Sequence, residues 1–473
     1  MTSLNNIEGA PAGAGGAEGS ARNRLSLELT ETFRLAVPIA LTQLGQIAMM
    51  TTDLALIGRL GDNAVAAAAL AHTVFFVSFT AGMGLVSAVA PLAAQAFGAR
   101  DPRMVRRALR VGLWAALLAA LPLMLPPLFG EQILLWLGQA PESAALAQRY
   151  LHGLTWCLIP GLWFLAIRGF MGAVNRPEPG LWITLTAIPA NAGLVYVLMH
   201  GKFGLPEFGI FGAGLATTIV NIGMFGAALW FTVSRRPFRK YQVLGGIARI
   251  DWPLMRQLIA IGAPISVAFL LEYGLFGAGG LLMGLISTTA LTAHQIALQI
   301  AAILFMVPFG VGMAATVRVG HAIGRGDASA VRRAGYVAVL LGITFMSTMT
   351  LAVIAGRFEI ATIFLGNAPD ATMQLTATLL LVGSTFFVAD GIQTVAAGAL
   401  RGLNDTRVPL LFATISYWLV GFTCAALFGF HTSLGASGVW VGLSCGTAVY
   451  ATLLVSRFHL LSRRALPAPP HPS

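Results

Sequence analysis

Twelve long apolar runs dominate this chain and leave few folds open to it. They fall at about residues 33–58, 65–90, 106–128, 146–171, 180–200, 209–233, 254–283, 290–316, 331–356, 372–398, 409–430 and 435–460. A helix needs roughly 20 residues to cross about 30 Å of hydrocarbon, and each run is long enough. The runs are continuously apolar, whereas strands of a membrane barrel alternate in polarity along roughly ten residues. Charged residues are 10% of the chain and apolar ones 57%, with a mean hydropathy of +0.79. A water-soluble domain carries about 25% charged residues, so lipid must cover this surface instead. The expected fold is an all-α integral membrane protein with twelve transmembrane helices. Short apolar stretches such as Ile133–Leu137 read as interfacial turns.

The chain also repeats itself. Residues 96–108 read AFGARDPRMVRRA and residues 322–334 read AIGRGDASAVRRA, an offset of 226 in a chain of 473. Pro38 and Pro264 keep that offset, and Gly82 and Gly84 align with Gly310 and Gly312 after a two-residue slip. A duplicated half in so apolar a chain predicts two pseudo-symmetric six-helix bundles, a transporter plan. The expected organisation is a tail at 1–30, an N-lobe at 31–234, a basic linker at 235–252, a C-lobe at 253–462 and a tail at 463–473.

The net charge of +11 does not point to nucleic acid, because the basic residues gather in alternate loops. Arg100, Arg103, Arg106, Arg107 and Arg110 lie between spans two and three; Arg235, Arg236, Arg239, Lys240 and Arg249 lie between six and seven. Arg325, Arg332 and Arg333 lie between eight and nine, with Arg463 and Arg464 at the end. The opposite loops carry few, such as Arg59, Arg149, Lys202 and Arg357. The positive-inside rule then predicts a multi-pass protein of a bacterial-type inner membrane, with both termini cytoplasmic. Residues 1–30 lack a basic segment followed by an apolar one, and read as a disordered tail rather than a cleaved signal. Cys157, Cys424 and Cys445 sit in separate spans without metal or redox spacing, which suits small apolar packing residues.

Two apparent motifs fail on context. GLSCG at 442–446 matches a nucleophile elbow but lies inside an apolar span, where Gly438, Gly442 and Gly446 form a small-residue packing stripe instead. GVGMAA at 310–315 resembles a dinucleotide fingerprint but follows no strand. No Walker A sequence is present, so direct use of ATP is not expected, nor is any cofactor.

Three acids stand well inside apolar spans: Asp53, Glu272 and Asp390. An acid at the bilayer centre costs about 2.5–3.5 kcal/mol on insertion scales, and such groups mark ion or substrate pathways. No Lys or Arg lies mid-span to pair with them; Arg168 and Arg401 lie near span ends, where they are expected to snorkel. A carboxyl group so placed can exchange a proton, hold Na⁺ or attract an organic cation. All three acids are therefore candidates for binding a cation, for coupling or for holding substrate. Gln46, Asn191 and Thr217 are candidate supporting residues, Asn221 a packing one. Pro38, fifteen residues before Asp53, and Pro264, eight before Glu272, are candidate hinges. His72, His294 and His321 near span ends read as packing or interfacial residues.

Taken together, AHQIALQ and GVGMAATVRVGHAIGRGD within 293–327, DGIQTVAAGALRGLNDT at 390–406, HGKFGLPEFGIFGAGLATT at 200–218 and the unit from Pro38 to Asp53 resemble the multidrug and toxic compound extrusion (MATE) family, NorM type. The resemblance runs from about residue 30 to 460. It implies two six-helix lobes that alternate in access, and export of cationic or amphipathic drugs in exchange for Na⁺ or H⁺. It matches Asp53 to the first-helix acid and Asn191 to the fifth-helix asparagine of the N-lobe. Glu272 and Asp390 match the seventh- and tenth-helix acids of the C-lobe. Some relatives place a second acid one turn after the asparagine, where this chain has Val195; beside the resemblance, that departure favours Glu272 and Asp390 as the cation site, the one place where a Na⁺ is foreseen, and Asp53 as a coupling or substrate residue. The partners expected are small organic cations and the bilayer, with the chain a monomer. A lipid-linked saccharide flippase of the same superfamily would line its cavity with basic rather than acidic residues. A membrane enzyme would need a nucleophile, base or metal set, and a channel fits the two-lobe plan less well than alternating access does.

Overall fold

A computed structural model of the chain describes residues 14–246, 248–366 and 370–463, with side chains from residue 25 onward. Among the described residues, twelve helices are long and apolar enough to span a membrane. They are α1 (Leu25–Leu60), α2 (Asp62–Gly98), α3 (Pro102–Leu128), α4 (Pro141–Ala173), α5 (Glu178–His200) and α6 (Gly209–Ser234) in the first half. The second half holds α7 (Trp252–Ile286), α8 (Thr288–Gly324), α9 (Ala328–Ala355), α10 (Asp370–Gly402), α11 (Arg407–Phe430) and α12 (Ala436–Arg463). Ten of the twelve expected runs lie within one of these helices, and the runs 331–356 and 435–460 overrun α9 and α12 by one residue each. Within each half the helices pack as one six-membered group.

Several boundaries differ from expectation, each for a physical reason. The helix that becomes α1 starts at Ala14, so the expected tail at 1–30 is helical over its second part. A tertiary partner anchors this region: Glu28, 8% exposed, receives two hydrogen bonds from Arg318 of α8, at 2.8 and 2.9 Å. Hydropathy alone reads Glu28 as solvent-facing. Residues 1–13 and 464–473, and with them nearly all of the expected C-terminal tail, lie outside the described residues. Likewise α2 and α8 run past the expected ends at 90 and 316 to Gly98 and Gly324, because their polar ends are buried between the halves. Residues 130–136 form a short helix rather than a turn, with Trp136 90% exposed, as suits an interfacial anchor.

The two halves meet along a pseudo-symmetric seam in which α1 packs on α8 and α2 on α7. A Cβ on Gly310 of α8 would come within 2.7 Å of the Ala40 backbone of α1, and a Cβ on Gly84 of α2 would collide with the backbone of Ser266 of α7. Gly84 and Gly310 are 226 apart, as are Ala40 and Ser266. The structural match is thus Gly84 with Gly310, without the two-residue slip. Several small residues in succession make either register plausible in sequence, and only packing decides.

The repeats themselves close one end of this seam. Gly324 packs against the backbone of Gln95 and Gly98, and Gly98 against that of His321. Across it Gln95 Nε2 donates to Gly402 O at 2.9 Å, Asn404 Nδ2 donates to Gln95 Oε1 at 2.9 Å, and His321 Nε2 lies 2.7 Å from Ala173 O. The carbonyl can only accept, so His321 carries its proton on Nε2. Just past each contact an aspartate caps the next helix. Asp101 accepts from the N–H groups of Arg103 and Met104 at 3.0 Å, and Asp327 from that of Ala330 at 2.9 Å. The expected packing stripe is also present: Gly438, Gly442 and Gly446 of α12 bring their backbone against Phe428, Ala425 and Gly421 of α11.

Candidate functional site

Glu272 and Asp390 come together through a residue that the sequence did not single out. Gln393, one helical turn after Asp390 on α10 and 3% exposed, donates from Nε2 to Asp390 Oδ1 at 2.8 Å and to Glu272 Oε1 of α7 at 2.9 Å. Its orientation is fixed by Tyr417, whose hydroxyl donates to Gln393 Oε1 at 2.8 Å. Both amide N–H bonds therefore point at carboxylates. Tyr417 lies in a π-helical stretch of α11, Thr414–Phe422; such widened turns recur at functional sites and re-aim side chains. A carboxylate accepts several hydrogen bonds or metal contacts, so capacity for a cation remains after Gln393 has supplied one bond to each.

This pair borders a cavity of about 330 Å³ lined from both halves, with Phe76 and Met83 of α2 facing Tyr273 and Phe276 of α7 and Phe305 and Phe309 of α8. Aromatic faces attract cations, and methionine adapts to varied apolar shapes. Behind it, a small adjoining cavity is lined by Glu272, Gln393, Tyr417, Tyr450 and Arg401. Arg401 does not snorkel to an interface as expected: it is half-buried over the Phe269 ring, 4.8 Å from its centroid. Arg168 departs further. It is 5% exposed and stacks near Phe164, 6.0 Å from the centroid; its Nε and Nη1 have no hydrogen-bond partner among the described residues. Gly180 lies against its stem, and the close helix packing that glycine permits encloses the side chain.

The first half holds a separate polar cluster. Asp53 of α1, 3% exposed, accepts a short hydrogen bond from Asn191 Nδ2 of α5. Its other oxygen accepts from Thr217 Oγ1 of α6 at 3.1 Å. Asn221 Nδ2 donates to the Thr217 carbonyl at 2.8 Å, which steadies this turn of α6. An apolar shell that includes Ile57, Ala213 and the fully buried Val195 encloses the cluster. Asp53, Asn191 and Thr217 were each expected as site residues, and the fold brings the three together.

Gln46 joins neither cluster. It is half-buried and forms no hydrogen bond among the described residues. Pro38 and Pro264 lie inside unbroken helices; the Pro38 carbonyl accepts from Thr42 Oγ1 at 2.7 Å. His72 lies 3.3 Å from the Tyr150 hydroxyl. His294 packs edge-on to Trp440. Asn191 Oδ1, His294 Nδ1 and Nε2, and Trp440 Nε1 are buried without hydrogen-bond partners among the described residues. Sequence reasoning missed Gln393 and Tyr417. A glutamine three residues after an in-span aspartate was the one available signal; the π-helical phase of Tyr417 leaves none.

Comparison with known proteins agrees with this geometry. A family model described as MatE matches residues 38–197 and again 264–427, so the two matched stretches start at Pro38 and Pro264. A protein of Bradyrhizobium diazoefficiens described as a probable multidrug resistance protein NorM is 66% identical over 448 residues, covering 94% of this chain and 96% of that one. A protein of Rhodopseudomonas palustris with the same description is 62% identical over 443 residues, 93% of this chain and 94% of that one. The crystal structure of a eukaryotic MATE transporter superposes with a TM-score of 0.83 at 21% identity, covering 93% of this chain and 98% of that one. At that identity the likeness speaks for the fold. The chain is a multi-pass membrane protein, and it belongs to the MatE family.

Proposed function

We propose that this protein exports cationic and amphipathic drugs in exchange for Na⁺ or H⁺, by alternating access of its two lobes. One observation carries the reading: two carboxylates, tied together by Gln393, border an aromatic cavity that both halves line. The names of the relatives support multidrug efflux. The basic loops support an orientation with the repeats and both termini on the cytoplasmic side of a bacterial inner membrane.

In this reading a coupling cation and a cationic drug compete for the same negative charge. Binding of the cation at Glu272 and Asp390 weakens the hold of the cavity on drug, which leaves to the outside. Loss of the cation to the cytoplasm restores the charge for the next drug molecule. Two ligands drive a cycle only if each distinguishes the two lobe arrangements; a pair of acids bridged across α7 and α10 can distinguish them because movement of α7 alters its distance from α10. Asp53 is assigned to coupling within the N-lobe, and Pro38 and Pro264 to bending of α1 and α7.

The test is transport by the purified protein in vesicles, with Na⁺ and H⁺ gradients imposed separately and ethidium export followed by fluorescence. Export under one gradient, abolished in both Glu272→Gln and Asp390→Asn, is the expected result and names the ion. Normal export by both variants under either gradient overturns the reading.

A further inference from the structure

We propose that the basic end of the seam holds a binding site for a phosphate ester, and that its occupant bridges the two lobes. A cavity of about 590 Å³ lies here. Its walls include Arg100 from the turn between α2 and α3, Asn175 from the turn between α4 and α5, Lys240 from the linker after α6, and Arg318 and Arg325 from the end of α8. Arg318 is already neutralised by Glu28. Arg100, Lys240 and Arg325 are exposed and have no carboxylate partner among the described residues. The carboxylate in the wall, Asp101, is spent on the N–H groups that open α3. Three unmatched cations in one concavity focus a positive potential on whatever enters it.

Two further features argue for a built site. Arg100 has φ of +59°, and the same position of the second repeat is Gly326, with φ of +70°. The turn demands a left-handed residue, glycine is the unstrained choice, and the first repeat places a guanidinium there instead. Asn175 also lines the cavity, and its Oδ1 is buried without a hydrogen-bond partner among the described residues. An orphaned acceptor beside three cations suits a ligand that joins a phosphate to a hydroxyl or ammonium donor. A glycerophosphate group meets that description. It can arrive on an anionic phospholipid, since basic pockets beside spanning helices take such headgroups, or as a free phosphate ester. Because both halves line the cavity, an occupant favours the arrangement in which the repeats touch. The site stands whether or not the transport reading is right.

The experiment measures binding to the full chain in neutral detergent. The lipid probe is dioleoylphosphatidylglycerol, the soluble probe is glycerol 3-phosphate, and dioleoylphosphatidylcholine is the uncharged control. The combined variant Arg100→Gln, Lys240→Gln, Arg325→Gln is compared with Arg235→Gln, Arg236→Gln, Arg239→Gln, which removes equal charge from the linker outside the cavity. The expected result is a loss of about ten-fold or more in the cavity variant, against less than about two-fold in the control, on the scale of basic residues near anionic headgroups. Lipid binding that glycerol 3-phosphate does not displace assigns the site to a lipid; displacement at millimolar concentration assigns it to a soluble ester. Arg100→Gly provides a second variant with no folding penalty, since the second repeat already uses glycine; it should weaken binding while holding or raising Tm. Equal losses in both combined variants, no loss in either, or equal binding of phosphatidylcholine overturns the proposal.

Discussion

Gln95 and His321 hold the same place in the two copies of the repeat, and each reaches a backbone carbonyl on the far side of the seam. Gln95 reaches Gly402 at the end of α10, and His321 reaches Ala173 at the end of α4. A neutral hydrogen bond contributes about 1 kcal/mol net, so Gln95→Ala and His321→Ala should each loosen the seam modestly. Together they should shift the closed–open balance by about ten-fold or more, since 1.4 kcal/mol is a factor of ten. Hydrogen exchange over residues 89–98 and 318–324 reads this directly. Unchanged protection in the double variant would show that the glycine contacts alone hold the closure.

The glycines make a separate prediction. Gly84→Val and Gly310→Val place branched side chains against the backbone of Ser266 and Ala40, where no rotamer change relieves the clash. Each should force the lobes apart more than the loss of either polar contact does, and the two should act alike because their surroundings are related by the repeat. Spin-label distances across the seam should lengthen in both. An effect in one alone would break the symmetry argument.

Gln393 is where the C-lobe site is most exposed to test. Gln393→Ala leaves two neighbouring acids without their bridge and the Tyr417 hydroxyl without its acceptor. Export of ethidium should fall at least as far as in Glu272→Gln. Tyr417→Phe keeps the bridge but frees the amide to flip, and should reduce export several-fold. If Tyr417→Phe is the more severe of the two, the hydroxyl acts on the cation itself rather than through Gln393.

What was legible in the sequence follows from cost. Asp53, Glu272 and Asp390 stood out because a charge in an apolar span is expensive, and the fold places each in a polar cluster. Gln393 was not legible because neutral amides in spans are too common to mark a site, and it acts through a contact with α7 that local sequence does not encode. The same holds for Glu28, whose partner Arg318 lies 290 positions away. Arg168 was misread because its place near a span end suggested an exit to water, whereas helix packing encloses it. The repeat was legible as a repeat, yet its register in α2 and α8 was set by which glycine meets which backbone.

Acid should weaken the cap on α9. Asp327 is held below the usual carboxylate range, first by the N–H of Ala330 and then by Ser329 and Arg333, against a smaller opposing effect of burial. A depressed native value contributes stability above the unfolded value of about 3.9, and loses it as pH falls through the native one. Asp327→Ala should therefore cost about 1 kcal/mol at neutral pH, as lost caps do. Its Tm should converge on that of the unaltered protein as pH falls below the unfolded value and on through the lower native one. A gap that persists to low pH would assign the cost to packing rather than to the charged cap.

Asp53 allows the sharpest test of whether geometry or mere charge matters in the N-lobe. Asn191 and Thr217 both donate to it, so Asp53→Asn sets an amide donor against one of two donors. An unsatisfied buried polar group costs about 1–3 kcal/mol, and the variant should lose Tm as well as transport. Exchanging the pair, Asp53→Asn with Asn191→Asp, restores a donor–acceptor contact between α1 and α5 and keeps one carboxylate in the cluster. The exchange should recover most of the lost Tm. If export returns with it, a carboxylate anywhere in the cluster suffices. If Tm returns and export does not, the carboxylate must lie on α1, the helix that packs on α8 across the seam, and the N-lobe acid acts through movement of that helix.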